Sequence, residues 1–253
     1  MRLSQTLTFF LISAAFFLAS TDISGKSSRP VLPGVILWAW ERPENLDFID
    51  PREAAVAFLA QSVELSGEQI KSHPRMQPLR VPPATTLIAV VRLSTDRLNR
   101  PSLSEQQVAA VISELLRVSR LPGVHGLQID FDATVSERPF YRSLLVGLRP
   151  QLPDTISLSI TALASWCLAD TWIKDLPVDD AIPMLFRLGT DREAVLRALK
   201  EGRDFSLPRC RQSVGISVDE PFPTVPPGRR VYVFNPQSWT KERYQSVREE
   251  LKR

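Results

Sequence analysis

Eight runs of apolar and β-branched residues recur along the chain, at Val35–Trp40, Ala57–Leu65, Thr86–Leu93, Gly126–Ala133, Ile156–Ala164, Ala181–Leu188, Ser213–Val218 and Arg230–Asn235. Several are almost continuously apolar, the pattern of strands covered on both faces. Helical spacing appears between some of them. Ser104–Ser119 gathers Val108, Val111, Ile112, Leu115 and Leu116 on one face, with Ser104 placed to cap its start. Ser136–Leu148, Asp191–Lys200 and Thr240–Leu251 follow the same period. Strands alternating with helices predict a parallel sheet joined by right-handed crossovers. Eight such strands closing on themselves make an α/β fold, a single (β/α)8 TIM-type barrel. The second crossover, Gly67–Pro83, is rich in Pro and poor in helix formers, which predicts an irregular connection and a partly degenerate barrel. An open doubly wound sheet is the alternative, but no Gly-rich nucleotide turn supports it.

Composition narrows this little. The 253 residues are 43% hydrophobic and 23% charged, with a net charge of +3, and one domain of this length can bury a large core. The basic residues are scattered, so no nucleic-acid partner is expected. Residues 1–25 read as a signal peptide or N-terminal anchor, with Arg2 ahead of the apolar run Leu7–Ala19, which is too short for a comfortable membrane span. Leu18-Ala19-Ser20 is a mediocre cleavage match, and no Cys follows the run to carry a lipid. The expectation is export to a periplasmic or extracellular setting, with no membrane span beyond that segment and residues 26–253 as one barrel domain. In an oxidising compartment Cys167 and Cys210 would form one disulfide; otherwise they are two buried thiols. His73 and His125 are the only histidines and lack metal-ligand spacing, so neither a metal nor a cofactor is expected. The P-loop, the Gly-x-Ser-x-Gly elbow and HExxH are all missing.

The chemistry concentrates in Gly126-Leu-Gln-Ile-Asp-Phe-Asp132. Gln128, Asp130 and Asp132 alternate along a strand and share a face, with Ile129 and Phe131 behind them. Buried carboxylates in a row are costly unless paired or functional. In such barrels the site lies at the carboxyl ends of the strands. Those ends offer Trp38, Trp40 and Glu41, then Arg92, Asp130 and Asp132, Trp166, Met184 and Arg187, Asp219 and Glu220, and Asn235 with Trp239. Tryptophan faces cover the C–H faces of sugar rings, and carboxylates bind hydroxyls or exchange protons at a glycosidic oxygen. Glycoside hydrolysis normally uses two carboxyl groups, unless the substrate supplies the nucleophile.

The expected catalytic set is therefore Asp132 as general acid, Asp130 as its support, and Glu41 or Glu220 as a second carboxylate. The expected carbohydrate-binding set is Trp38, Trp40, Arg92, Gln128, Trp166, Met184, Arg187, Asp219, Asn235 and Trp239. The structural alternatives are an ion pair between Asp132 and Arg187 or Arg92, an Asp130 satisfied by Ser159 or Thr161, and tryptophans that cap the core. Tyr141 reads as packing. At the level of function the alternatives are a non-catalytic glycan-binding barrel and an envelope scaffold.

The strand-four run resembles the Asp-x-Asp-x-Glu ladder of family 18 glycoside hydrolases, the chitinase-like barrels, and Met184-Leu-Phe and Trp239 fall at similar places. Trp38-Ala-Trp-Glu41, Gln128–Asp132, Ser159–Cys167, Pro183-Met-Leu-Phe-Arg187 and Asp219-Glu-Pro221 look like a bacterial family of unknown function, domain of unknown function 3142. That resemblance implies the same barrel and brings no activity. The departures from chitinases are specific. Asp132 stands where they carry a Glu, one methylene longer, and Gln128 replaces the first Asp. Arg187 stands where they usually have an Asp that helps hold an N-acetyl group, and an Arg there could clamp the carboxylate of an acidic sugar.

Overall fold

The computed structural model describes residues 31–252, so the 1–25 segment lies outside them. Eight parallel strands form the barrel: β1 (Val35–Ala39), β2 (Ala54–Ser66), β3 (Leu87–Thr95), β4 (Val124–Asp130), β5 (Ser157–Leu163), β6 (Asp180–Met184), β7 (Ser213–Ser217) and β8 (Arg230–Phe234). Each pairs with the next, and β1 pairs with both β2 and β8, which closes the ring. Helices α1 (Glu105–Ser119), α2 (Arg138–Leu148), α3 (Ala164–Leu168), α4 (Arg192–Lys200) and α5 (Lys241–Glu250) follow β3, β4, β5, β6 and β8. Among the described residues, β1, β2 and β7 lead on through loops or short strands instead. The fold is thus a (β/α)8-type barrel whose helical layer is incomplete. No described helix is long and apolar enough to cross a membrane.

The second crossover is more regular than its prolines suggest. β2 runs on past the barrel, turns at Gly67 (φ +54°), and returns as Gln69–Pro74, antiparallel to Gln61–Ser66. Val63 and Leu65 are buried while Ser62 and Glu64 are more open, the alternation of a one-faced antiparallel arm. The arm is tied to α1. Gln107 donates to the carbonyls of Gly67 and Gln69 at 3.1 and 2.8 Å, and its own N–H bonds to the capping Ser104 hydroxyl.

Alternation along the strands sorts the core into two sets. Leu37, Ala89, Val91, Leu127, Ile129, Ile160, Val214 and Val233 pack outward in one large cluster with the helices. Ile36, Trp38, Ala55, Ala57, Ile88, Val90, Ile182 and Tyr232 fill the barrel interior. Trp38 fits there only because β7 carries Gly215, where a Cβ would lie 2.9 Å from the indole Cη2. Trp239 fastens the seam between β1 and β8. Its indole N–H donates to the Trp38 carbonyl at 2.9 Å, and its backbone N–H to the buried Glu44 carboxylate at 2.9 Å. A Cys167–Cys210 disulfide joins α3 to the turn before β7, with Cα atoms 5.9 Å apart.

Candidate functional site

A cavity of about 280 Å³ opens at the carboxyl end of the strands, lined by side chains from β1, β3, β4, β5, β6 and β8 and the loops that follow them. It is polarised. On the β3–β5 side lie Arg92, Gln128, Asp130, Asp132 and Thr161; on the β1, β8 and β6 side lie Trp38, Trp40, Phe234, Phe186 and Met184. The aromatic rings touch in sequence. Trp40 meets Phe234 edge-on at 6.0 Å, Phe234 stacks on Phe186 at 5.7 Å, and Phe186 meets Trp38 at 6.2 Å between centroids.

β4 builds the polar side by strand periodicity. Gln128 is fully buried at the bottom, accepting the Trp38 indole N–H at 2.8 Å and donating to Ser159 Oγ at 3.4 Å. Above it, Asp130 accepts from Thr161 Oγ1 at 2.8 Å and from Arg92 Nη1 at 3.0 Å. The Arg92 guanidinium also lies 5.9 Å from the Trp40 ring, joining the two sides of the mouth. Asp132 follows just past the end of the strand. Among the described residues, no hydrogen bond or ion pair reaches it. Its surface is open to the cavity, yet the surrounding walls strip enough water to push its carboxyl pKa up. The negative charge of Asp130 pushes the same way, and Arg92 pulls partly back. Behind the strand, Tyr141 is fully buried, and burial together with the charges of Asp130 and Asp132 holds its phenol far above the usual range.

Asp132, Asp130, Gln128, Arg92, Trp38, Trp40, Met184 and Arg187 thus converge on one cavity. The others lie elsewhere. Glu41 is exposed and does not line the cavity. Glu220 is engaged in structure, accepting the Arg187 backbone N–H at 2.8 Å and pairing with Arg192 at 2.6 Å. Asp219 accepts the Ser217 hydroxyl outside the lining. Asn235 shapes its own turn through the Gln237 N–H at 3.1 Å and the Ser238 carbonyl at 3.3 Å. Trp166 is buried against Trp172, because the chain enters α3 at Ala164 and carries the indole out of the mouth. Trp239 is spent on the barrel seam.

The expectations that Trp166 and Trp239 are sugar platforms, and that Glu41 or Glu220 is the second acid, are corrected accordingly. The Asp132–Arg187 pair weighed as an alternative does not form, and Arg92 takes Asp130 instead.

Sequence reasoning missed Phe186 and Phe234 in the aromatic wall, although both continue the inward alternation of β6 and β8. It also missed Asp191, exposed in the lining, for which the sequence holds no signal. Among the described residues, no group of three or more His, Cys, Asp or Glu side chains could hold a metal ion.

No curated protein sequence matches the chain. Among solved structures it is similar to the spore cortex-lytic enzyme SleL of Bacillus cereus, with a TM-score of 0.44 and 14% identity over 74% of this chain and 51% of that one. The chain thus spans about half the length of that protein. Residues 84–181, the central part of the stretch over which the quoted motifs lie, match the family described as Domain of unknown function (DUF3142), and this segment holds Arg92, Asp130, Asp132 and Thr161.

Proposed function

We propose that the protein is an exported, glycoside-hydrolase-like barrel that binds a carbohydrate in this cavity and cleaves a glycosidic bond, with Asp132 as general acid. The observation that carries the reading is an unpartnered carboxyl, its pKa raised, set across a cavity from a continuous aromatic wall. Trp40 offers a face to the apolar side of a sugar ring, backed edge-on by Phe234. Arg92 offers hydrogen bonds to its hydroxyls, while the buried Gln128 and Thr161 hold Trp38 and Asp130 in place behind it. The Asp132 proton passes to the glycosidic oxygen as the C–O bond breaks, and water adds to the anomeric carbon. The proton released by that water goes to a second carboxylate. In this reading Asp191, which lines the same cavity, takes that role, unless a substrate group acts first as nucleophile. Asp130, held by Arg92 and Thr161, lies beside Asp132 and its charge pushes the Asp132 carboxyl toward the protonated form. Export is supported by the apolar leader and the Cys167–Cys210 disulfide.

A second reading, a glycan-binding barrel without catalysis, is favoured by one observation: neither Glu41 nor Glu220 lies in the cavity. A glycan-binding screen with product analysis, run on wild type and Asp132→Asn, separates the two. The hydrolase reading expects turnover that the substitution abolishes while binding persists. Binding without turnover in either protein establishes the second reading, and binding to no glycan removes both.

A further inference from the structure

Arg187 is held in an unusual way. Its backbone lies in the left-handed region at φ +52°, which costs a residue with a Cβ energy unless its surroundings enforce it. The enforcement is visible. The Arg187 N–H donates to Glu220 Oε1 at 2.8 Å, while Glu220 Oε2 is pinned by Arg192 at 2.6 Å. The strained turn carries the guanidinium into the cavity lining, 5.2 Å from the Phe234 ring centroid. There it finds no close acid. Its nearest carboxylate is Asp219 at 3.9 Å, at the outer edge of ion-pair distance. Asp130, Asp132 and Asp191, the acids of the same cavity, lie beyond ion-pair distance of it. Arg92 differs, being committed to Asp130 at 3.0 Å.

We propose that Arg187 is a specificity residue that grips a carboxylate on the substrate, so that the ligand is an acidic saccharide such as a uronic-acid-containing chain. This rests on the carbohydrate reading above and names the substrate class of the same site. A guanidinium parked on an aromatic face keeps its planar fork of donors available, and that fork matches a carboxylate through two parallel hydrogen bonds. A neutral sugar closing over it would strip water from the charge and return only weaker bonds to hydroxyls, without the paired charge of a carboxylate, which selects against neutral ligands. The position of Arg187 on the aromatic side, out of ion-pair reach of Asp132, keeps the guanidinium charge from pulling the proton off that acid.

The test uses oligogalacturonate, oligomannuronate and hyaluronan fragments, each paired with its carboxyl-reduced neutral counterpart, with a sulfated glycan as a separate arm. Affinities are measured for wild type, Arg187→Asn, whose side chain tolerates a left-handed backbone, and Arg187→Lys, which keeps the charge and loses the fork. Wild type is expected to favour one acidic chain over its reduced partner by about 10- to 100-fold. The ratio should collapse toward one in Arg187→Asn and fall to an intermediate value in Arg187→Lys. Equal binding of acidic and reduced chains, or a ratio that survives Arg187→Asn, overturns the assignment while the carbohydrate reading stands. Preference for the sulfated glycan over every carboxylated one also overturns it. Binding to no member of any pair overturns both.

Discussion

The two ends of the barrel hold cavities of the same size, about 280 Å³ each, and treat a carboxyl group in opposite ways. At the amino end, Asp180 is 5% exposed, and its Oδ2 accepts from Ser213 Oγ at 2.5 Å and Arg230 Nη2 at 3.1 Å. At the carboxyl end, Asp132 has no partner among the described residues and faces open space. Burial pushes both pKa values up. Ser213 and Arg230 pull Asp180 back, whereas Asp132 has only the more distant Arg92 and a further push from Asp130. An acid bound to its neighbours closes a structure, and an acid left alone beside a cavity can exchange a proton with whatever enters. The same contrast separates Arg230, engaged with Asp180 at 3.1 Å at the amino end, from Arg187 at the other, whose closest acid, Asp219, lies at 3.9 Å.

The sharpest way to break this contrast is to neutralise each acid in turn. Asp132→Asn should lower turnover by about 10²- to 10⁴-fold, the usual share of a general acid, while stability shifts by less than about 0.5 kcal/mol. Steady-state kinetics beside urea melts on the same preparation check both halves. Asp180→Ala should do the reverse. It takes the buried carboxylate from Ser213 and from Arg230, which keeps only neutral acceptors on Gln212 and Ser213, at a cost of about 2–3 kcal/mol in chemical denaturation, while the folded fraction keeps its turnover.

A smaller effect is expected from Gly215→Ala. The added Cβ would lie 2.9 Å from the Trp38 ring, and moving that ring loosens its bond to Gln128 beneath the site. About 1–2 kcal/mol of stability should go, with weaker ligand binding and a shifted indole fluorescence. The smallest effect is in pH. Because the native pKa of Asp132 is raised above 3.8, the unfolded chain ionises first as pH rises through the window between the two values. Native stability therefore falls across that window and levels off above it, and Asp132→Asn should flatten the slope. The exposed carboxyl is screened by solvent, so the difference stays below about 0.5 kcal/mol. Turnover should fall on the alkaline side as the acid loses its proton.

The barrel was legible because a two-residue period is hard to disguise. All eight runs became strands, and the Gln128–Asp132 ladder came out on the inner face as its spacing demands. What escaped was the direction a side chain takes once the strand has ended. Trp166 and Trp239 sit just past strand ends, yet a helical turn carries one into the outer core and a backbone carbonyl captures the other. Glu41 and Glu220 likewise follow strand ends, and the loops carry both away from the lining. Phe186 and Phe234 could have been found by extending the alternation one more step. Asp191 belongs to a short 3-10 turn whose position depends on the whole crossover, and no local pattern encodes that.

The most direct test of the central claim is a crystal structure of Asp132→Asn with a bound oligosaccharide taken from the binding screen. The account predicts a sugar ring against Trp40, with a glycosidic oxygen within about 2.6–3.2 Å of the residue 132 side chain. A saccharide bound outside the cavity, or inside it with every glycosidic oxygen beyond reach of residue 132, would contradict the assignment of Asp132 as the proton donor.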